Sequence, residues 1–173
     1  MRAEFTQELE QLNPADCVYI DESGLEESLC REYGRAPRGQ KVSGERMGKK
    51  AQRLSIIAAL NQKELVAPLH SKGYCDTDVV NSWVENALLP CLKPGQTVIM
   101  DNASFHKSTR TKQLIETKGC KLLYLPTYSP DLNPIEQQWA ILKARIRKLK
   151  TPQQPLEEAI AQVFKELLSQ GPG

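Results

Sequence analysis

The run CVYIDES, residues 17–23, decides how the rest of the chain is read. Cys17, Val18, Tyr19 and Ile20 form a short apolar, β-favouring stretch that leads to the carboxylates Asp21 and Glu22, the composition of a buried strand. A second run of the same kind, TVIMDNA at 97–103, leads to Asp101. Each aspartate is expected at the C-terminal end of its strand, the edge where open α/β sheets place their sites. Aspartate also ends strands simply because it favours turns.

Working outward, RLSIIAAL (53–60) and ELVAPLH (64–70) are apolar runs separated by NQK, the pattern of a β-hairpin. CDTDVVNSWVENALLPCLK (75–93) changes to helical spacing, with Val79, Trp83, Ala87 and Leu88 as its stripe, Asp76 or Thr77 as cap and Pro90 as the stop. KSTRTKQLIETKG (107–119) predicts a short helix ended by Gly119, and CKLLYLP (120–126) a fifth strand. Two helices close the chain: IEQQWAILKARIRKLK, with Ile135, Trp139, Leu142, Ile146 and Leu149 in one stripe, and LEEAIAQVFKELL, with Leu156, Ile160, Val163, Phe164 and Leu167. Strands separated by helices call for parallel pairing, whereas the first three can form an antiparallel meander. The expectation is an α/β domain: a mixed five-stranded sheet flanked by helices. A helical lead-in occupies residues 1–15, the main domain 16–150, and a terminal helix and tail 151–173.

If the strands holding Asp21 and Asp101 are parallel neighbours, the two carboxylates meet. Glu136 is the third candidate. In NPIE, Asn133 suits an N-cap, Pro134 the first helical position and Glu136 the third, which is a capping-box arrangement. The helix stripe would also bring Glu136 near the sheet's carboxylates and leave the basic row of Lys143 and Arg147 facing solvent. Three converging carboxylates repel one another unless a cation joins them, and hard oxygen ligands favour Mg²⁺ or Mn²⁺. Two such ions can activate a water or hydroxyl and stabilise a leaving oxygen in phosphodiester chemistry.

At 173 residues the chain suits a single domain. No apolar run approaches the ~20 residues of a membrane span, and the acidic N-terminus lacks a signal peptide's apolar core, so a cytoplasmic, nucleoid-associated location is expected. Cys17, Cys30, Cys75, Cys91 and Cys120 are scattered and form no CxxC pair, which reads as small core residues more readily than as a zinc site. The net charge is only +2, but it is unevenly spread. Residues 1–29 hold eight acids against Arg2, residues 31–53 hold eight bases against Glu32 and Glu45, and residues 137–150 hold five bases and no acid. Two basic blocks suit an anionic partner on one face, or simply a solvated surface. The loop-like stretch 31–50 supplies Arg35, Arg38, Lys49 and Lys50 as candidate DNA contacts, and the helix supplies Lys143 and Arg147.

The blocks YIDESG, MDNASFH and LPTYSPDLNPIEQQW, with thirty-four residues between Asp101 and Glu136, resemble the catalytic domain of DDE transposases of the bacterial insertion-sequence and mariner superfamily. The resemblance covers about residues 16 to 150 and implies an RNase H-like, retroviral-integrase-like fold. It implies that Asp21, Asp101 and Glu136 are a catalytic and metal-binding triad holding two Mg²⁺ or Mn²⁺ ions. It further implies that water cleaves a DNA strand at the transposon end, and that the freed 3′-hydroxyl attacks target DNA, typically at TA. Asn102 and His106 match the family's DNxxxH block and would support the site, with a purely structural hydrogen-bonding role for His106 equally open. Trp139 matches the family's aromatic after the glutamate and is expected in the core. The implied partners are transposon ends and target DNA, a second copy in a homodimeric active complex, and no membrane. Family members usually carry N-terminal helix-turn-helix domains, and Asp21 lies close to the start of this chain. The expectation is therefore a second reading frame or truncated copy whose end-recognition portion is encoded upstream. The competing expectations are a non-catalytic fragment that binds DNA or full-length transposase and regulates transposition, and a structure-specific nuclease on the same fold.

Overall fold

The computed structural model describes residues 1–26 and 52–170, apart from the side chain of Phe105. The candidate DNA contacts Arg35, Arg38, Lys49 and Lys50, together with Cys30, lie outside the described residues. Helix α1 (Arg2–Glu10) leads into β1 (Cys17–Glu26), followed by the hairpin β2 (Arg53–Asn61) and β3 (Glu64–Lys72). Then come α2 (Thr77–Trp83), β4 (Thr97–Met100), α3 (Thr109–Thr117), β5 (Lys121–Tyr124), α4 (Ile135–Leu149) and α5 (Leu156–Ser169). The five strands form one sheet in the order β3-β2-β1-β4-β5. The first three pair antiparallel, while β1–β4 and β4–β5 pair parallel. This is the expected mixed sheet, with parallel neighbours wherever a helix supplies the crossover.

Alternation along the strands sorts their side chains into two cores. Val18, Ile20, Ile57, Val98 and Met100 pack with Val80, Trp83, Val84, Leu88 and Ile115 on one face. Ile56, Ala58 and Leu60 pack on the other with Ile135, Trp139, Leu142 and Ile146 of α4 and with Ile160 and Val163 of α5. Strand β2 is covered on both sides, which is why it reads as a continuous apolar run. The stripes expected for α4 and α5 are the buried ones, with Leu149 and Leu167 half-buried at their margins.

Three local expectations are corrected. Strand β1 does not end at Asp21; it continues to Glu26 because β2 goes on pairing with it, from Asp21↔Ala58 to Glu26↔Arg53. Only the parallel ladder to β4 stops, at Ile20↔Met100. The helix expected over 75–93 starts as read, with Asp76 Oδ1 accepting from Val79 N at 2.9 Å, but loses its α-helical pitch after Trp83. The chain widens into a π turn over Val84–Leu88, where Leu89 N–H reaches the Val84 carbonyl, then tightens to a 3₁₀ turn over Leu89–Cys91. Pro90 has no N–H to give and cannot sit inside a regular α-helix, and the change of pitch accommodates it. The third correction concerns the cysteines: Cys17, Cys75 and Cys120 are buried, but Cys91 is exposed.

Trp83, 2% exposed, donates its indole N–H to the Ala67 carbonyl at 2.7 Å. Ala67 has φ +52° in β3, facing the register shift between Ile57 and Ala59, so this hydrogen bond ties α2 to an irregular stretch of sheet. Trp83→Phe keeps an aromatic ring and strands that carbonyl. The expected loss of stability is about 1–3 kcal/mol in chemical denaturation, with an unchanged far-ultraviolet spectrum.

Candidate active site

The register Ile20↔Met100 puts the next residues, Asp21 and Asp101, side by side where the parallel ladder ends. By alternation Asp21 shares the face of Tyr19 and Leu25, the side on which α4 lies. Trp139, 3% exposed, packs in that core and donates its indole N–H to Asp21 Oδ2 at 2.9 Å. The expectation that Trp139 is a core residue is met, but its polar edge was missed. The available signal was its position three residues after Glu136, on the same helix face.

Asp101 is held from its own loop. Its Oδ1 accepts from Ala103 N at 3.3 Å and from Nδ1 of His106. His106 is fully buried, and its carbonyl accepts from the Tyr124 hydroxyl at 3.2 Å, so β5 fixes the residue that fixes Asp101. Asn102 Nδ2 donates to Thr127 Oγ1 at 3.3 Å, which joins the Asp101 loop to the segment leading to α4.

Glu136 is carried to the site by that segment. Leu125 N donates to Met100 O at 2.7 Å, and a 3₁₀ turn over Pro130–Leu132 follows. The buried Asn133 then starts the helix, its Oδ1 accepting from Ile135 N at 3.4 Å and its carbonyl from Glu136 N at 3.2 Å. The capping box read from NPIE is not formed. Asn133 N–H, the group a capping glutamate would take, already donates to Pro130 O at 3.0 Å. Among the described residues the exposed Glu136 carboxylate has no hydrogen bond or ion pair.

The charges of the three carboxylates interact. Burial first, and then repulsion from Glu136 and Asp101, push Asp21 up to about 7, against partial relief from the Trp139 indole and the Glu22 backbone. Asp101 is also partly desolvated, but the hydrogen bond and charge of His106 and the Ala103 amide outweigh that and hold it below the usual carboxylate range. One aspartate is thus poised to stay neutral near neutral pH while its neighbour stays ionised. Among the described residues no three His, Cys, Asp or Glu side chains are yet drawn close enough to hold a metal ion. The set is nonetheless all-oxygen, mutually repelling, and in Glu136 unengaged, so its chemistry fits a hard divalent cation.

The expected basic row splits. Arg147 is exposed, but Lys143 is half-buried beside the carboxylates. Burial and the charges of Arg147 and Arg53 lower its pKa, while Glu136 and Asp21 pull it back up. Lys143 is therefore not a simple solvent-facing lysine, because α4 turns it two helical turns on toward the same edge as Glu136. Arg53, the last residue of the first basic block, was not among the candidate DNA contacts. Its guanidinium lies 4.1 Å from the Tyr74 ring centroid, and a side chain on Gly24 would meet it at 2.5 Å. Gly24 thus leaves room on β1 for a cation near Lys143.

Comparison with known proteins bears on the family and the fold. A family model described as DDE superfamily endonuclease matches residues 16–156. The transposable element Tc3 transposase of Caenorhabditis elegans is 50% identical over 42 residues, 24% of this chain and 13% of that protein. A pre-cleavage Mos1 transpososome superposes with a TM-score of 0.72 at 15% identity, over 96% of this chain and 52% of that one. The catalytic domain of Mos1 mariner transposase superposes with a TM-score of 0.62 at 14% identity, over 96% and 76%. The fold is the RNase H-like one expected. The chain spans about half the length of the solved transposase in the first of these structures.

Proposed function

The chain belongs to the DDE superfamily endonucleases, and from that premise we propose that Asp21, Asp101 and Glu136 hold two divalent cations, Mg²⁺ or Mn²⁺, to cleave and rejoin DNA strands in transposition. The observation that carries this reading is the parallel register setting Asp21 beside Asp101, with the charge of Glu136 felt at Asp21. Bound cations would supply a Lewis acid for the phosphodiester and a more acidic attacking water. The chain's own residues do the rest. Trp139 holds one oxygen of Asp21, His106 and the Ala103 amide hold one oxygen of Asp101, and Glu136 keeps its carboxylate uncommitted. Lys143, Arg147 and Arg53 face the phosphate backbone, where cations contribute salt-dependent affinity. Solved structures similar in fold include Mos1 paired-end complexes with Mn and with Mg, which supports divalent cations and paired transposon ends here; target DNA as the second substrate and a homodimer complete the proposal.

The test is cation-dependent nicking. Supercoiled plasmid is expected to be nicked in Mn²⁺ or Mg²⁺ and left intact in excess chelator, and calorimetric titration with Mn²⁺ is expected to give two sites per chain. Nicking that continues undiminished in chelator, or in Glu136→Gln, would sink the proposal. DNA binding without cleavage in any cation would favour a regulatory fragment instead.

A further inference from the structure

Trp139 holds Asp21 and His106 holds Asp101, but among the described residues no hydrogen bond or ion pair holds the side chain of Glu136. Its aim rests on the backbone where α4 begins. That backbone is set by a short relay: Leu132 N donates to Ser129 O at 3.1 Å, Asn133 N to Pro130 O at 3.0 Å, and Glu136 N to Asn133 O at 3.2 Å. These bonds fix the turn within itself. What grips it from outside is α1.

The helix is anchored along its length. Phe5 packs in one cluster with Ile99 and Leu125, bordered by Leu9 and Leu132, so α1 shares a core with both ends of the segment between β5 and α4. Glu8 takes an ion pair from Lys121 at the start of β5. At the other end Arg2 reaches the turn itself: Nη2 donates to Asp131 Oδ2, and Nη1 to Ser129 Oγ at 3.4 Å. Arg2 and Asp131 are 55% and 58% exposed, and an exposed pair adds little to global stability. A planar guanidinium that bonds two groups of one turn does fix its direction. Glu136 follows on the first turn of α4 and inherits any error there, and a displacement of about 1 Å costs about 10²-fold in rate at a reacting centre.

We propose that Arg2 is a positioning residue for Glu136: by gripping Ser129 and Asp131 it makes α1 a brace that sets where α4 begins and hence where the third carboxylate stands. This rests on the reading of the site as a cation-dependent DNA-cleaving centre. The experiment compares the full chain with Arg2→Ala, Arg2→Lys and Asp131→Ala. It measures amide hydrogen exchange over residues 129–139 without cation, Mn²⁺ affinity by calorimetry, DNA affinity in chelator, and plasmid nicking at varied DNA concentration. Both alanine variants are expected to speed exchange in that segment by about 5- to 50-fold while the β2–β3 hairpin exchanges as before. They are expected to weaken Mn²⁺ binding by about 10- to 100-fold and to lower kcat by about 10- to 100-fold with KM for DNA unchanged. Arg2→Lys keeps a cation for Asp131 and is expected to recover most of each loss. Melting temperatures are expected to stay within about 4 °C of the unaltered chain, which separates lost aim from misfolding. Unchanged exchange and Mn²⁺ affinity in both alanine variants overturn the brace and leave the catalytic reading standing. Weaker DNA binding in chelator by Arg2→Ala, with Asp131→Ala like the unaltered chain in every readout, assigns Arg2 to phosphate contact and overturns it too. An unaltered chain that neither binds Mn²⁺ nor nicks DNA overturns the catalytic reading and reduces α1 to a structural support.

Discussion

Asp21→Asn is expected to abolish cation-dependent cleavage, by about 10³-fold or more, and at the same time to stabilise the cation-free protein above pH 7. The two effects share one cause. Asp21 is 8% exposed and is pushed up to about 7 from an ordinary 3.8, first by burial and then by Glu136 and Asp101. A carboxyl group whose folded pKa is raised stabilises the fold fully below its unfolded pKa, and this contribution is lost as pH climbs through the folded one. Between 3.8 and 7 the folded chain keeps a proton that the unfolded chain has released. Above 7 the fold carries a buried anion at a cost on the order of 4 kcal/mol. Asparagine still accepts from the Trp139 indole but carries no charge. Thermal melts in chelator should therefore show Asp21→Asn above the unaltered protein at pH values over 7, the gap closing as pH falls toward 3.8. With Mn²⁺ the order should reverse, because only the unaltered site gains a ligand that binds the folded state. Coincident melting curves at every pH would show that Asp21 is not strained by its neighbours.

This reversal also explains why the site was only partly legible from the chain. The elements were readable where they depend on local pattern: the β-branched runs before Asp21 and Asp101, and the α4 stripe from Ile135 to Ile146, are buried as their spacing predicts. From the neighbouring positions of the two strands, the meeting of the two aspartates follows directly. What was hidden depends on partners distant in sequence. The extension of β1 past Asp21 is set by β2, whose pairing runs to Glu26↔Arg53 across the stretch that separates the strands. The bond from Trp139 to Asp21 joins residues 118 positions apart, and local spacing places Trp139 on the Glu136 face of α4 without naming the partner of its indole. NPIE has every feature of a capping box, yet Pro130 takes the Asn133 amide first. A local rule therefore marked the helix start to within one residue, and of the two roles it left open for the carboxylate the competing turn removes the capping one.

Asp101→Asn should stop cleavage as completely as Asp21→Asn, about 10³-fold or more, but with the opposite effect on stability. Asp101 is more open to solvent, and the hydrogen bond and charge of His106, with the Ala103 amide, more than offset its desolvation and hold its pKa down. A carboxylate with a depressed folded pKa contributes stability that is present above its unfolded value of 3.8 and lost as pH falls through the lower folded value. Asparagine keeps an oxygen for His106 Nδ1 but replaces a charge-assisted bond with a neutral one, a loss of about 1 kcal/mol. In chelator above pH 7 the Asp101→Asn protein should therefore melt below the unaltered chain and the Asp21→Asn protein above it. Two identical chemical changes side by side where the parallel ladder ends, equal in their effect on catalysis and opposite in their effect on folding, are what the proposed cation centre predicts for its carboxylates. Under the proposal, Asp101 would offer a carboxylate already anchored as an anion by His106, and Asp21 one that would have to release its proton to bind. If both variants shifted stability in the same direction, that division between the aspartates would be wrong, even with cleavage lost in each.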